Sequence, residues 1–275
     1  MDLEGLRRQS ESLPASDRMP VLFIGHGSPV NGIEDNLYTS GWRESVKDLP
    51  VPRAVVCISA HWLTRGSYVT AMDFPRTIHD FGGFPAELYQ IRYPAPGSPS
   101  IATELAGAVT EPPIGLDHEW GLDHGTWTVV RHLFPEANIP VLQLSVDYFQ
   151  PGDHHYRLAK ELASLRDKGI LFIGSGNMVH NLGMVAFDRL DQPGFGFDWA
   201  KEMNECFKRK ILEGDHRSLI DYRQLGRAAM LAIPTPDHYW PLIYSLGLTS
   251  KGDQPVIFND HLVGGSLTMT SVRFG

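Results

Sequence analysis

The sequence contains little cysteine and no long hydrophobic run. Its 275 residues include only two cysteines, Cys57 and Cys206, which cannot build a disulfide framework. The longest apolar stretches, such as AVVCISA and ILFIG, fall far short of the roughly 18 residues that suggest a membrane span. The N-terminus, MDLEGLRRQSESLPASDR, has no apolar signal-peptide core. We therefore expect a cytoplasmic protein that does not enter a membrane.

Positive charge is also scarce. The 24 Lys and Arg residues are outnumbered by 32 Asp and Glu residues, which gives a formal net charge of -8 at pH 7. No basic run marks a surface for nucleic acid or for an anionic membrane, so we predict neither partner. A small-molecule partner is expected instead, and the sequence predicts no oligomeric state.

Short motifs of several enzyme classes are missing too. GSGNMV begins like a dinucleotide-binding loop, but Val179 stands where the third glycine should be. The sequence has no G-x-x-x-x-G-K-[ST] loop and no G-x-S-x-G nucleophile elbow. The local metal motifs H-E-x-x-H and C-x-x-C are absent as well. A metal site would have to combine residues that are distant in sequence.

The hydrophobic pattern predicts an α/β fold. PVLFIG, PRAVVCISAHW, IPVLQLSV and GILFIGSG are continuous apolar runs rich in Val and Ile, typical of parallel strands covered on both faces. Helical stretches alternate with these runs, as in α/β domains. We predict helices at about residues 35–47, 100–109, 126–133, 153–168, 197–212 and 237–246.

We predict a single catalytic domain over residues 19–275, with residues 1–18 forming a polar, flexible segment. This domain is expected to have three layers, with a mostly parallel central sheet, helices on both faces and added antiparallel edge strands. PVIFND and GSLTMTSVRF are expected to pair antiparallel at the sheet edge. The Pro/Gly-dense residues 74–99 form the longest irregular piece, and such loops are usually functional.

Histidine is unusually frequent, with 12 copies in the chain. It is the commonest metal ligand and the usual acid or base near neutral pH. His26, His61 and His180 each follow a predicted strand, and open α/β sheets bind ligands at the carboxyl ends of their strands. We therefore predict that these three histidines share a site.

Three further histidines are candidates for the same site. His124 in GLDHGTW and His238 in PTPDHYWP lie in constrained segments before predicted helices, and His79 in TIHDFGGFP is a weaker candidate for the pocket mouth. The remaining six have polar or helical neighbours, and we interpret them as solvated: His118, His132, His154, His155, His216 and His261.

Spacing alone does not select the metal. Neutral imidazoles bind Zn, Fe, Cu and Ni, and a non-haem Fe(II) oxygenase usually offers two histidines and one carboxylate. A catalytic zinc site uses three protein ligands and a water. The residues by themselves leave open an oxygenase, a zinc-dependent hydrolase and a non-catalytic metal-binding protein.

A family resemblance narrows these alternatives. The segments LFIGHGSP, ISAHW, TIHDFGGFP, YPAPGSP, WGLDHGTW, GSGNMVHNL and PTPDHYWPL, in this order, resemble the class III extradiol ring-cleavage dioxygenases. More narrowly, they resemble the 4,5-DOPA extradiol dioxygenase branch. The similarity runs from about Met19 to the C-terminus. It implies a non-haem, metal-dependent oxidoreductase that cleaves a catechol, such as L-DOPA, with O2 to a muconic semialdehyde.

The resemblance also implies metal ligands. His26 and His61 would bind Fe(II), which is expected for activity. The broader class completes its ligand set with a glutamate, but the matching region here offers His238 with Asp237 beside it. His238 is therefore the expected third ligand, and His180 is a candidate fourth ligand when substrate is absent. An all-histidine shell also suits Zn, so Zn can occupy the site.

The same resemblance implies roles around the substrate. His180 matches the acid/base histidine of the family, and His124 matches a histidine that hydrogen-bonds substrate or oxygen. Ser28 and His79 are expected to contact substrate. A DOPA carboxylate would require a cation, for which Arg65, Arg76 and Arg92 are the candidates in predicted loops.

Overall fold

An eight-stranded sheet forms the centre of the molecule. A computed structural model describes residues 18–192 and 194–275, so the segment predicted to be flexible lies, apart from Arg18, outside the described residues. The strands are β1 (Val21–Gly25), β2 (Ala54–Thr64), β3 (Ser67–Thr70), β4 (Ile114–Asp117), β5 (Val141–Asp147), β6 (Ile170–Gly176), β7 (Pro255–Phe258), β8 (Leu262–Val263), β9 (Leu267–Thr268) and β10 (Ser271–Phe274).

Four parallel strands lie at the centre of this sheet, in the spatial order β5, β2, β6, β1. Beyond β5, strand β3 is antiparallel to it, and β4 pairs in parallel with β3. Beyond β1, strands β10 and β7 follow in antiparallel pairing, whereas β8 and β9 form a separate ribbon. The predicted sheet is confirmed, including the antiparallel pair near the C-terminus.

Helices pack on both faces of the sheet, as predicted. Shorter 3-10 helices occupy residues 29–32, 86–90, 163–168, 182–184, 187–189 and 222–225. Within the described residues, each helix is too short or too polar to cross a membrane. The α-helices are α1 (Leu37–Glu44), α2 (Pro99–Ala108), α3 (His124–Leu133), α4 (Gly152–Leu162), α5 (Asp198–Leu212), α6 (His216–Ile220), α7 (Arg227–Ala232) and α8 (Trp240–Gly247).

Alternate side chains of the central strands enter two separate cores. In β1, Phe23 packs in one hydrophobic cluster and Leu22 in the other. In β2, Val56 packs in the first cluster and Cys57 in the second. The first cluster includes side chains of α2, α4, α5 and α8, and the second includes those of α1 and α3. Burial on both faces is why these strands are continuous apolar runs.

Two helices begin near the site. Helix α3 begins at His124, two residues earlier than predicted, because the Asp123 side chain accepts a hydrogen bond from the backbone N–H of Thr126. Helix α8 begins at Trp240, later than predicted, with Pro241 in its first turn. His124 is therefore the first residue of α3, whereas His238 lies in the segment before α8.

Removing two carbons from the buried Val55 side chain should destabilise the protein. We expect Val55→Ala to lower the free energy of unfolding by about 2 kcal/mol, because each buried methylene contributes about 0.8 kcal/mol and a cavity adds to the loss. The matched control is Val256→Ala, since Val256 lies on edge strand β7 and is 59% exposed. Urea denaturation should place the control within about 0.5 kcal/mol of the parent. Equal losses in both variants would contradict the two-core packing.

Candidate active site

The site histidines gather at the carboxyl ends of parallel strands. His26 follows β1 directly, and its backbone N–H donates to the carbonyl of Gly176 at the end of β6 (3.1 Å). His180 lies shortly after β6, and its N–H donates to the carbonyl of Ala232 (2.9 Å). Because β1 and β6 are neighbours, their ends bring these two histidines to the edge where open α/β sheets bind ligands.

His61 lies inside β2, at an irregularity of the sheet. Strand β2 pairs with β5 at Ile58–Leu144 and resumes at Leu63–Val146. Four residues of β2, including His61, therefore oppose one residue of β5, which is the geometry of a bulge. Bulges redirect side chains and are common beside active sites. Strand β2 extends to Thr64, beyond His61. The prediction that His61 follows the strand was therefore wrong.

Gly125 lets the start of α3 approach β2. A Cβ at this position would lie 2.5 Å from Oγ of Ser59 and 2.9 Å from Cδ2 of His61. Such contacts are too short for carbon, so a larger residue would displace one of these neighbours. The ring centroids of His61 and His124 lie 3.9 Å apart. This close approach depends on a glycine beside His124.

The segment before α8 brings His238 to the cluster. Its backbone carbonyl accepts a hydrogen bond from the N–H of Asn177 after β6 (2.9 Å). A Cβ on Gly176 would lie 2.2 Å from that carbonyl oxygen, so glycine is required there. The His238 ring stacks on His180, with centroids 3.6 Å apart and an interplanar angle of 7°.

All five histidines predicted for metal binding or catalysis come together. Ligand atoms of His26, His61 and His124 lie within 4.8 Å of one another, and so do those of His180, Asp237 and His238. The two groups adjoin, since the His238 ring centroid lies 4.9 Å from that of His61 and 5.3 Å from that of His26.

Hydrogen bonds fix one ring nitrogen of several of these histidines. The Ser175 hydroxyl donates to the carbonyl of Gly125 (2.5 Å), so its oxygen accepts from Nδ1 of His26 (2.9 Å). The neutral His26 ring then carries no hydrogen on Nε2. Nδ1 of His238 pairs with the Asp237 carboxylate. Holding Nδ1 in this way leaves Nε2 available, as is usual for metal-binding histidines.

Burial keeps the central imidazoles neutral. It lowers the pKa of His26 and His61 well below the ordinary value of 6.5, and neighbouring histidines lower both further. Burial also lowers the pKa of His180 to about 3, with His238 adding to the effect. Neutral imidazole is the form that binds metal ions.

The donor set fits a transition metal. Nε2 of His26 and Nε2 of His61 lie 3.3 Å apart. Two nitrogens that each lie about 2.0–2.1 Å from one ion are separated by about 2.8–3.4 Å for angles between octahedral and tetrahedral. The observed separation falls in that range, and soft or borderline metals such as Fe and Zn accept imidazole.

Asp80 is a site residue that sequence reasoning missed. Its carboxylate accepts hydrogen bonds from both the backbone N–H (2.8 Å) and Nδ1 (2.9 Å) of His124. Burial opposes ionisation of Asp80, but these bonds outweigh it and hold its pKa below the ordinary value. Asp80 lies next to His79 in TIHDFGGFP, within the irregular stretch that was expected to be functional. Its position in that stretch was the signal in the sequence that could have identified Asp80.

His79 and Ser28, the two predicted substrate contacts, pair with backbone groups. Nε2 of His79 pairs with the carbonyl of Ile91 (3.1 Å), so this ring helps to hold the loop together. The Ser28 side chain is exposed and accepts a hydrogen bond from the N–H of Val30 (3.3 Å) at the start of a 3-10 helix. Both residues have local structural partners. Their contact with substrate stays a prediction.

Two histidines that were interpreted as solvated are buried instead. His155 is fully buried, and His154 is 8% exposed. Nδ1 of His155 lies 3.2 Å from the Tyr244 hydroxyl, and burial lowers the pKa of this histidine to about 3. Both lie on α4, and the His155 ring contacts the rings of Trp240 and Tyr244 on α8. Their polar sequence neighbours gave a wrong interpretation, because tertiary packing decides burial.

An α/β sheet that gathers buried, neutral histidines at the carboxyl ends of its strands defines a metal-dependent enzyme. The chain belongs to the family described as the catalytic LigB subunit of aromatic ring-opening dioxygenase, which matches residues 21–274. It is therefore an extradiol ring-cleavage dioxygenase, as the sequence resemblance indicates.

Two curated relatives are similar to this chain over nearly their whole length. The 4,5-DOPA dioxygenase extradiol of Escherichia coli (strain K12) is 46% identical over 265 residues, covering 95% of this chain and 96% of the relative. The 4,5-DOPA dioxygenase extradiol of Beta vulgaris is 35% identical, covering 92% and 96%. The crystal structure of an uncharacterized protein from Escherichia coli K12 has a TM-score of 0.81 at 40% identity, covering 94% of this chain and all of that one.

Adding a methyl group at Gly125 should weaken metal binding. We expect Gly125→Ala to displace His61 and to reduce the affinity for Zn²⁺ or Fe²⁺ about 10–100-fold, the usual effect of disturbing the support of a metal ligand. The matched control is Gly107→Ala on α2, where a Cβ would meet nothing within 4 Å. Metal titration with a competing chelator measures both. Unchanged affinity in Gly125→Ala would contradict the tight contact.

Proposed function

We propose that this chain cleaves the ring of L-DOPA or a related catechol beside its diol, using O2 and Fe(II). The observation that carries the proposal is the 3.3 Å separation of the His26 and His61 Nε2 atoms within a buried histidine cluster. The names of the relatives from Escherichia coli and Beta vulgaris support DOPA as the substrate. A muconic semialdehyde is the expected product.

The metal would be held by His26, His61 and His238. His26 and His61 have facing Nε2 atoms, and His238 has its Nδ1 occupied by Asp237, which leaves its Nε2 for the ion. Fe(II) supplies a Lewis acid that favours the ionised catechol and a redox partner for O2. Zn²⁺ fits the same nitrogen donors but has no redox chemistry.

His180 and His124 would handle protons around the substrate. The neutral His180 ring, stacked on His238, would accept a catechol hydroxyl proton. His124 would hydrogen-bond the substrate from the other side of the cluster. The two rings belong to the two adjoining groups of ligand atoms.

An aromatic cluster beside His124 suits a planar substrate. The Phe81 ring meets the His124 ring edge-on, with centroids 5.5 Å apart, and also contacts Phe84 (5.4 Å) and Tyr89 (5.1 Å). Arg76 and Arg92, from the same irregular stretch, line a cavity of about 400 Å³ whose lining residues include none of the site histidines. These two arginines are the candidates for a substrate carboxylate, whereas Arg65 stacks on Phe149.

Oxygen consumption tests the proposal. After anaerobic reconstitution with Fe(II), the protein should take up O2 in a 1:1 ratio with a catechol and form a yellow product. DOPA, caffeate and protocatechuate cover substrates with different side chains. Absence of uptake with all three would contradict the proposal. Hydrolysis of an ester or amide by the zinc form, independent of O2, would identify the zinc hydrolase instead.

Histidine substitutions test the assigned roles. His26→Ala and His61→Ala should lose bound metal, because each removes a ligand from the facing pair. His180→Ala should keep its metal and lose turnover, since it removes the proton acceptor. The matched control is the exposed His118→Ala, which should resemble the parent in both respects. Metal analysis and O2 uptake are the measurements. Loss of most of the metal in His180→Ala would make His180 a structural ligand.

A further inference from the structure

Asp80 contacts two histidines of the cluster through one carboxylate. Oδ1 accepts from the backbone N–H of His124 (2.8 Å), and Oδ2 accepts from Nδ1 of the same residue (2.9 Å). Oδ2 also lies 3.6 Å from Nδ1 of His61. The His124 side chain is only 7% exposed and that of Asp80 19% exposed, so solvent competes little for these bonds.

The contact dictates where the His124 ring carries its hydrogen. An ionised carboxylate can only accept hydrogen bonds, and a neutral imidazole has a single N–H. With that N–H on Nδ1 and directed at Asp80, Nε2 is a bare acceptor. The other tautomer would place the lone pair of Nδ1 against the carboxylate, which is repulsive at 2.9 Å.

The neighbouring acid does not compete for this role. Asp123, one residue earlier, already accepts hydrogen bonds from the Ser59 hydroxyl (2.7 Å), the N–H of Thr126 (3.1 Å) and the Gln143 amide. Its carboxylate is therefore engaged in capping α3 and tying it to β2 and β5. Among the described residues, Asp80 is the carboxylate bonded to the His124 ring.

We propose that Asp80 is a positioning residue that holds His124 in the Nδ1–H tautomer, so that Nε2 accepts a hydrogen bond from a catechol hydroxyl. The identity of that hydroxyl rests on the proposed function. The tautomer itself is a property of the chain without metal or substrate.

Asp80→Asn changes the tautomer with little change in shape. The amide oxygen can still accept from the backbone N–H of His124, but the amide NH2 then faces Nδ1 and donates to it. Nδ1 must lose its hydrogen, and Nε2 gains one. A carboxylate-to-amide change that selects the wrong histidine tautomer reduces turnover about 10⁴-fold in a serine protease.

The first measurement is made on metal-free protein labelled with 15N-histidine. At pH 8, the 15N shifts of the His124 ring, assigned by their loss in His124→Asn, should show hydrogen on Nδ1 in the parent and on Nε2 in Asp80→Asn. The control Asp48→Asn removes a surface carboxylate that pairs with Arg273 and should leave the His124 signals unchanged. A His124 ring that keeps the same tautomer in parent and Asp80→Asn would overturn the proposal.

The second measurement is turnover of the Fe(II)-loaded variants. Asp80→Asn should reduce kcat/KM for the catechol about 100-fold or more, with unfolding temperature and metal content close to those of the parent. Asp80→Glu should restore part of the activity, because it keeps a carboxylate that can accept from Nδ1 of His124. Full turnover by Asp80→Asn despite a changed tautomer would overturn the acceptor role of Nε2.

The two measurements separate this inference from the proposed function. If the parent cleaves no catechol but the tautomer changes in Asp80→Asn, the proposed function fails and the effect of Asp80 on His124 stands. If the parent cleaves catechols and Asp80→Asn changes neither tautomer nor rate, the proposed function stands and the inference about Asp80 fails.

Discussion

The site depends on two imidazole nitrogens that face each other at 3.3 Å, Nε2 of His26 and Nε2 of His61. Nδ1 of His26 donates to Ser175, so the facing Nε2 atom presents a lone pair. A neutral His61 ring that carries its hydrogen on Nε2 donates it to this lone pair, and moving that hydrogen to Nδ1 leaves both Nε2 atoms free to bind one ion. Burial disfavours protonation of both rings, so both can act as neutral metal ligands.

Local departures from regular sheet geometry and close backbone contacts maintain this arrangement. A bulge in β2 breaks the pairing beside His61, and two glycines remove side chains where elements nearly touch. The missing side chain of Gly125 lets α3 lie close to β2, and that of Gly176 lets the carbonyl of His238 lie close to β6. The regular parts of the sheet are hydrophobic on both faces and hold these exceptions in place. Stability and function thus reside in different parts of the same strands.

Much of this architecture could be predicted from the sequence. Continuous apolar runs such as GILFIGSG predict central parallel strands, and histidines after such runs predict a shared site because the carboxyl ends of the strands meet at one edge. His26 and His180 illustrate this reasoning. The family motifs added the order of the segments and the chemistry, which composition and spacing left open.

Other features could not be predicted because they depend on tertiary contacts between distant segments. Asp80 reaches His124 through the path of an irregular loop, and no periodicity predicts that path. His155 has polar neighbours in sequence but lies on a helix face that packs against α8. The exposed Ser28 caps a short helix, a role that its place in GHGSP does not reveal.

Isotope labelling shows whether the oxygen atoms of O2 enter the product. When the Fe(II)-loaded protein acts on a catechol under 18O2, mass spectrometry of the ring-opened product should find one labelled oxygen retained in the new carboxylate. The second labelled oxygen enters the aldehyde, where exchange with water removes it over time. Label that appears in the carboxylate only from H2 18O would contradict ring cleavage by O2 at this histidine cluster.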